Sequence, residues 1–125
     1  MTNPIKDQAK FMKACGQSVG KFNSDQFDLY VNLINEEHTE LKDAIAAGDK
    51  VETLDALIDI IVVTVGAMHS LGVDAEGAWK EIMGSNFAKI NRETGMVEKR
   101  EDGKVLKPEH WMPPQLKQFI VTDEN

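Results

Sequence analysis

Cysteine and positive charge are both scarce in this sequence. Its 125 residues include a single cysteine, Cys15, which excludes a disulfide framework and a cysteine-based zinc site and fits a reducing compartment. We expect Cys15 to be a packed core thiol. Fourteen lysines and arginines stand against 21 aspartates and glutamates, so the formal net charge is −7. Because nucleic-acid phosphates need a basic face, we expect no nucleic-acid partner.

Long apolar runs are absent as well. The most apolar segment, residues 54–68, is shorter than the roughly 18 residues needed to span a bilayer. It also contains Asp55 and Asp59, which hydrocarbon penalises. The N-terminus lacks the apolar stretch of a signal peptide, so we expect a cytoplasmic protein with no membrane partner. A hydrophobic content of 42% and a charged content of 28% predict one globular domain over residues 1–125.

Four segments carry the start signals of α-helices. Each follows an asparagine, serine or aspartate, the residue types whose side chains cap a helix N-terminus. The predicted N-caps are Asn3, Ser24, Asp49 and Asp74. The predicted helices cover residues 4–15, 25–47, 50–70 and about 75–90. Gly48 and Gly72 follow the second and third helices, where glycine commonly ends a helix.

Short links join the second, third and fourth helices, so these helices are expected to pack antiparallel as neighbours. The predicted fold is all-α, an antiparallel bundle of four main helices completed by oligomerisation, with its helical core at about residues 4–90. Residues 91–125 lack a helical period and are predicted to form an irregular charged tail. In this tail Asp102-Gly103 is a turn signal, across which residues 97–100 and 104–106 are predicted to pair as a small hairpin.

Acidic residues are concentrated between positions 25 and 59. Ten carboxylates and only two lysines fall in this stretch, which gives a local charge of −8. Such density needs either full solvation or a bound cation. The third helix is apolar over most of its circumference, which predicts burial, and Glu52, Asp55 and Asp59 share one narrow stripe on it. We therefore expect these carboxylates to line a crevice.

The second helix provides a matching set of acids. Glu37 and Glu40 lie between its two apolar sides, and Glu36 lies on the edge beyond Glu40. The short turn predicted after this helix can bring the pair opposite Glu52 and Asp55 in an antiparallel hairpin. Four converging carboxylates with no histidine or cysteine ligand nearby favour a hard cation, Mg²⁺ or Mn²⁺.

Several of these residues also fit other roles. Glu52 follows Asp49 by three residues, so the two can form a capping box. Glu36 can be an ordinary surface acid, and Asp59 a hydrogen-bonded core acid or a residue that supports the ligands. His38 is predicted to be a core histidine rather than a ligand. The residue three before it is asparagine, which excludes the Glu-x-x-His pattern of di-iron bundles.

The sequence resembles a known family at these same acids. Residues 36–40 (EEHTE) and 52–55 (ETLD) are similar to the E-E-x-x-E…E-x-x-D signature of the all-α, MazG-like nucleoside triphosphate pyrophosphohydrolases. The later segments SNFAKI and EDGKVLKPEHWMPPQL look like their phosphoribosyl-ATP pyrophosphohydrolase-like subgroup. The resemblance covers about residues 11–116. Met83-Gly84 departs from it, since a polar residue, often histidine, tends to precede the Ser-Asn pair in that subgroup.

This resemblance implies an all-α homodimer or homotetramer that cleaves a nucleoside triphosphate to the monophosphate and pyrophosphate with Mg²⁺ or Mn²⁺, as a house-cleaning enzyme of the nucleotide pool. The implied metal ligands are Glu37, Glu40, Glu52 and Asp55. Glu36 is implied to be an additional ligand or a residue that orients the water. Glu36 and Glu37 are the catalytic candidates by position, because the one that does not bind the metal can accept the proton of the attacking water. The implied substrate-binding residues are Asn86, Lys89, Lys104 and Lys107. The alternatives are phosphoribosyl-ATP hydrolysis in histidine biosynthesis and a non-enzymatic helical dimerisation module.

Overall fold

The computed structural model describes residues 2–121. They form four α-helices, a two-stranded antiparallel sheet and a short 3-10 helix, Lys117–Phe119. The elements are α1 (Pro4–Ala14), α2 (Ser24–Ala46), α3 (Lys50–Leu71), α4 (Ala75–Phe87), β1 (Ile90–Asn91) and β2 (Met96–Val97). The prediction of a mostly helical fold with four helices is confirmed. No helix in the described part of the chain is long and apolar enough to cross a membrane.

The chain divides into two compact units. The first contains the described residues up to Ala75 together with Ile120 and Val121, and the second contains Glu76–Phe119. In the first unit, Ile120 forms an antiparallel β-bridge with Val73, and the backbone N–H of Val121 donates to the carbonyl oxygen of Gly72 at 2.8 Å. These contacts attach the end of the described chain to the loop that follows α3.

Capping side chains fix the ends of the first three helices. Asn3 accepts two backbone N–H groups at the start of α1, as predicted. In α2 the N-cap is Asn23 rather than the predicted Ser24, because the Asn23 side-chain oxygen accepts the backbone N–H of Gln26, three residues later. Asp49 caps α3 as predicted, and Gly72 ends it with a φ of 82°, a left-handed conformation that favours glycine.

The core of the first unit lies among α1, α2 and α3. The helices α2 and α3 form the predicted hairpin through a three-residue link, Ala47–Asp49, and α1 packs on α3. The buried centre contains one side chain from α1, one from α2 and two from α3: Met12, Tyr30, Val63 and Ala67. This packing holds the two acid-bearing helices side by side.

Large apolar side chains of α3 stay exposed on the single chain. Leu54, Ile58 and Ile61 retain 61%, 51% and 47% of their full exposure. The helices α1 and α2 cover only part of the circumference of α3, so the predicted burial of α3 is incomplete within the single chain. Two predictions are corrected: Cys15, at the C-terminal end of α1, and His38, on α2, are both exposed rather than packed in the core.

The second unit contains most of α4 and the small sheet. α4 ends at Phe87, about three residues before its predicted end, because the chain turns there into β1. The turn between β1 and β2 is held by Asn91, whose side-chain oxygen accepts from the backbone N–H groups of Glu93 and Thr94. The sequence did not predict this sheet, in which the two residues of β1 pair with the two residues of β2.

The predicted hairpin around Asp102-Gly103 is shorter than expected. It consists of a single β-bridge, Lys99 with Val105, flanked by backbone hydrogen bonds on either side. The Asp102 carboxylate binds the Arg100 guanidinium and also accepts the backbone N–H of Lys104, so local side-chain contacts hold the turn.

Candidate functional site

The link between α2 and α3 determines which acids can meet. Gly48 has a φ of 66°, which lets the chain reverse within three residues. Asp49 then starts α3: its side-chain oxygen accepts the N–H of Glu52 at 3.0 Å. Because the reversal is so short, acids late in α2 lie beside acids early in α3.

Glu52 is not part of a complete capping box. In such a box its carboxylate would accept the backbone N–H of Asp49. That N–H donates instead to the carbonyl oxygen of Ala44 at 3.1 Å. The Glu52 carboxylate is therefore not engaged by the cap, and it lines a cleft.

This cleft lies between α2 and α3 and has a volume of about 400 Å³. Three alanines form its apolar surface, and the small size of their side chains leaves the space open. Its acidic lining comes from both helices and the link: Glu40, Asp43, Asp49, Glu52 and Asp55. Three of the four predicted metal ligands, all but Glu37, thus face one opening.

Glu37 lies deeper than the other acids of α2. Its side chain is partly buried, and its Oε2 atom is enclosed with no hydrogen-bond partner in the described part of the chain. Loss of hydration raises the pKa of Glu37 to about 7, and the adjacent Glu40 carboxylate and the charges of Asp59 and Asp55 add to the shift. An enclosed oxygen of this kind is costly unless a proton or a cation accompanies it.

Asp59 belongs to the same group of carboxylates. Burial raises its pKa, and Asp55, one helical turn earlier, and Glu40 raise it further. We call Glu37, Glu40, Asp55 and Asp59 the carboxylate cluster. Asp59 lies on the same side of α3 as Asp55, which their four-residue spacing predicts.

Within the described residues, the carboxylate cluster has no basic partner. Across residues 2–121, neither a lysine nor an arginine forms an ion pair or hydrogen bond with any of its four members. Nor do three carboxylate, imidazole or thiol groups in this range already surround a common point as metal ligands do. The chemistry of the donors nevertheless fits a divalent cation, since the only donors are carboxylate oxygens and one of them is enclosed and unpaired.

Glu36 stands apart from these acids. It is exposed on α2, does not line the cleft, and is not among the groups that shift the pKa of Glu37. Its catalytic role stays a prediction.

The predicted substrate-binding residues lie in the second unit. The Lys89 ammonium donates to the side-chain oxygen of Asn86 at 3.1 Å. Lys89 and Lys107 both lie over the ring of Trp111 and both line a cleft of about 460 Å³. Lys104 is on the exposed Asp102-Gly103 turn and does not line this cleft, so the structure brings together three of the four residues. Sequence reasoning missed Trp111, whose only signal was its place within the EDGKVLKPEHWMPPQL segment.

Comparison with known families assigns the helical part of the chain. Residues 11–86 match the family described as phosphoribosyl-ATP pyrophosphohydrolase. No curated protein matches the chain. The matched range is more than half of the sequence and includes every acid of the candidate metal site together with Asn86. The chain therefore belongs to the phosphoribosyl-ATP pyrophosphohydrolase family, within the MazG-like superfamily of pyrophosphohydrolases.

Proposed function

We propose that the protein is a Mg²⁺-dependent nucleoside triphosphate pyrophosphohydrolase that converts (d)NTP to (d)NMP and pyrophosphate and clears unwanted nucleotides from the cellular pool. The observation that carries this proposal is the enclosed, unpaired Oε2 of Glu37 beside three further carboxylates. A helical module stabilised by salt bridges would pair these acids with lysines or arginines. The carboxylate cluster lacks such partners within residues 2–121, which favours a cation site.

Glu37, Glu40, Glu52 and Asp55 would hold the cation. When bound, Mg²⁺ would offset the negative charge of the triphosphate and acidify a coordinated water. A carboxylate that does not itself bind the cation, Glu36 or Glu37, takes the proton as the water oxygen bonds to phosphorus and the phosphoanhydride P–O bond breaks. Attack at the α or the β phosphorus gives the same two products.

A substrate panel tests the proposal. Purified protein is incubated with individual NTPs and dNTPs, with and without Mg²⁺, and the products are separated. We expect a nucleoside monophosphate and pyrophosphate from at least one substrate. Glu40→Gln should lower kcat/KM by at least about 100-fold, because ligand loss costs more than loss of a supporting contact.

The matched control for this variant is Asp28→Asn, which neutralises an exposed acid on α2 that does not line the cleft. Its kcat/KM should stay within twofold of the unchanged protein. Failure of every nucleotide to yield pyrophosphate would overturn the proposal.

A second candidate is hydrolysis of phosphoribosyl-ATP in histidine biosynthesis. The description of the matched family favours it. Assaying phosphoribosyl-ATP beside the nucleotide panel separates the two, because the preferred substrate has the higher kcat/KM. The third alternative, a non-enzymatic dimerisation module, predicts no turnover and no stabilisation by Mg²⁺.

We propose that the chain forms a homodimer or homotetramer. The support is the exposed apolar surface where α1 meets α3, a groove of about 400 Å³ whose lining includes Phe11, Ile58, Ile61 and Val62. Sedimentation at micromolar concentration tests this, and a stable monomer would contradict it. The absence of nucleic-acid and membrane partners and the cytoplasmic location stay predictions.

A further inference from the structure

Trp111 is held in place by three features of the second unit. Its indole N–H donates to the carbonyl oxygen of Ser85 at 2.7 Å, and its backbone N–H donates to that of Pro108 at 3.1 Å. The residue before it, His110, has a φ of 66°, a conformation that non-glycine residues seldom adopt. The indole therefore has a defined position, partly buried among its neighbours.

Two ammonium groups share this one ring. The Lys89 nitrogen lies 5.1 Å from the ring centroid of Trp111 and the Lys107 nitrogen lies 5.0 Å from it, both within the range of a cation–π contact. The two charges are thus at most about 10 Å apart. Neither lysine forms an ion pair in the described part of the chain, and the only hydrogen bond of the Lys89 ammonium there is to the neutral side chain of Asn86.

The cleft beside the ring has an excess of positive charge. Lys89, Arg92 and Lys107 line it, against Glu93 and Glu98. The side chain of Asn91 donates to the Glu98 carboxylate at 3.3 Å, which occupies part of that charge. In a chain with a net charge of −7, two unpaired lysines over one anchored ring are a ready site for an anion.

We propose that Trp111 is a positioning residue that holds Lys89 and Lys107 as a clamp for neighbouring phosphates of a polyphosphate chain. The identity of the ligand rests on the proposed pyrophosphohydrolase function. The indole acts through the lysines and not on the reacting atoms: its ring attracts both ammonium groups, and its N–H keeps the ring fixed to Ser85. Without the ring, each lysine would have to be ordered by the ligand alone, at a cost in affinity.

The test uses inorganic pyrophosphate as the probe, titrated calorimetrically into the full chain with EDTA present, so that binding does not depend on a metal. Lys89→Met and Lys107→Met keep the alkyl stem and remove the charge, and each should weaken binding about three- to tenfold. Trp111→Leu should weaken it at least as much. Trp111→Phe keeps an aromatic ring and should bind within about twofold to threefold of the unchanged protein. The matched control is Lys117→Met, an exposed lysine of the same unit outside the cleft.

Steady-state kinetics distinguish a role of Trp111 in phosphate binding from a role in folding alone. With the nucleotide found in the substrate panel, Trp111→Leu should raise KM while kcat stays within about twofold, and Trp111→Phe should restore KM. If Trp111→Leu does not fold, the double variant Lys89→Met/Lys107→Met leaves the ring in place and tests the clamp directly. Unchanged pyrophosphate affinity in that double variant overturns the inference, and so does a failure of pyrophosphate to bind at millimolar concentration.

The inference and the proposed function can fail separately. Pyrophosphate binding that depends on both lysines, in a protein that hydrolyses no nucleotide, supports the clamp and overturns the enzyme. Hydrolysis that does not change when Trp111 and both lysines are substituted overturns the clamp and supports the enzyme.

Discussion

Gly66 of α3 lies directly against the aromatic ring of Tyr30 of α2. A Cβ added at Gly66 would stand 2.3 Å from the Cε1 atom of that ring, closer than any real contact. The ring cannot easily move away, because Tyr30 is buried in the core and its hydroxyl donates to the side-chain oxygen of Gln17 at 2.5 Å. The missing side chain at Gly66 therefore sets how closely the two acid-bearing helices approach.

Gly66→Ala should consequently destabilise the protein by about 1–3 kcal/mol, because overpacking forces the ring or the helices apart. The matched control is Gly84→Ala in α4, where an added Cβ meets nothing within 4 Å. That change should stabilise the protein by about 0.5–1 kcal/mol, the usual gain when alanine replaces glycine inside a helix. Urea denaturation of both variants measures the two effects, and equal shifts in the same direction would contradict the packing account.

The stability of the metal-free protein should depend on the charge of Glu37. Its pKa in the folded chain is raised to about 7 from an ordinary value of 4.5, so the folded state holds a proton that the unfolded state releases. The contribution of Glu37 to the free energy of unfolding is therefore fully present below about pH 4.5 and is lost as the pH rises through 7.

Glu37→Gln removes this dependence while keeping the shape of the side chain. With EDTA present, the Tm of the variant should be close to that of the unchanged protein at pH 5 and higher than it at pH 8. Thermal melts at several pH values give the difference directly. A Tm difference between the two proteins that stays constant or shrinks with rising pH would show that ionisation of Glu37 does not destabilise the folded chain.

Mg²⁺ and Mn²⁺ should stabilise the folded chain. A ligand that binds only the folded state adds RT ln(1 + [L]/Kd), about 2.7 kcal/mol at one hundred times Kd. We expect a concentration-dependent rise in Tm for the unchanged protein and for Asp28→Asn. The rise should be lost or strongly reduced in Glu40→Gln and Asp55→Asn. Equal rises in all four proteins would place the cation elsewhere.

Substitutions of Asp49 and Glu52 should have different effects, because the first residue caps a helix and the second is a proposed metal ligand. The Asp49 side chain caps α3, so Asp49→Ala should cost about 1 kcal/mol of stability. The Glu52 carboxylate takes no part in the cap, so Glu52→Gln should change stability by less than about 0.5 kcal/mol and lower kcat/KM at least tenfold. The reverse pattern, with Glu52→Gln destabilising and fully active, would favour the capping box over the ligand role.

Local signals were sufficient to predict the helices. The caps at Asn3 and Asp49 and the glycine end at Gly72 depend only on neighbouring residues, and all three are confirmed. At the start of α2, Asn23 and Ser24 are adjacent residues of equal capping ability, so the sequence could not distinguish them. The small sheet escaped prediction because its strands have two residues each, too few to show an alternating pattern.

The sequence was sufficient to predict which residues form the candidate site, but not how deeply each carboxylate is buried. Spacing along the helices put Glu37, Glu40, Glu52 and Asp55 on facing surfaces, because helical geometry is regular. Which oxygen is enclosed depends on how closely α2 and α3 pack, a long-range property. The contact of two lysines with Trp111 joins residues far apart along an irregular segment, where no periodicity guides prediction.

The three-residue link between α2 and α3 has a consequence for assembly of the protein. Every member of the carboxylate cluster lies between positions 37 and 59, on either side of that link. Closing so small a loop costs little chain entropy, and contacts between near neighbours in sequence form early. The acidic pocket should thus take shape at the start of folding, when mutual repulsion among its carboxylates opposes collapse. A divalent ion present at that moment would speed refolding rather than merely slow unfolding.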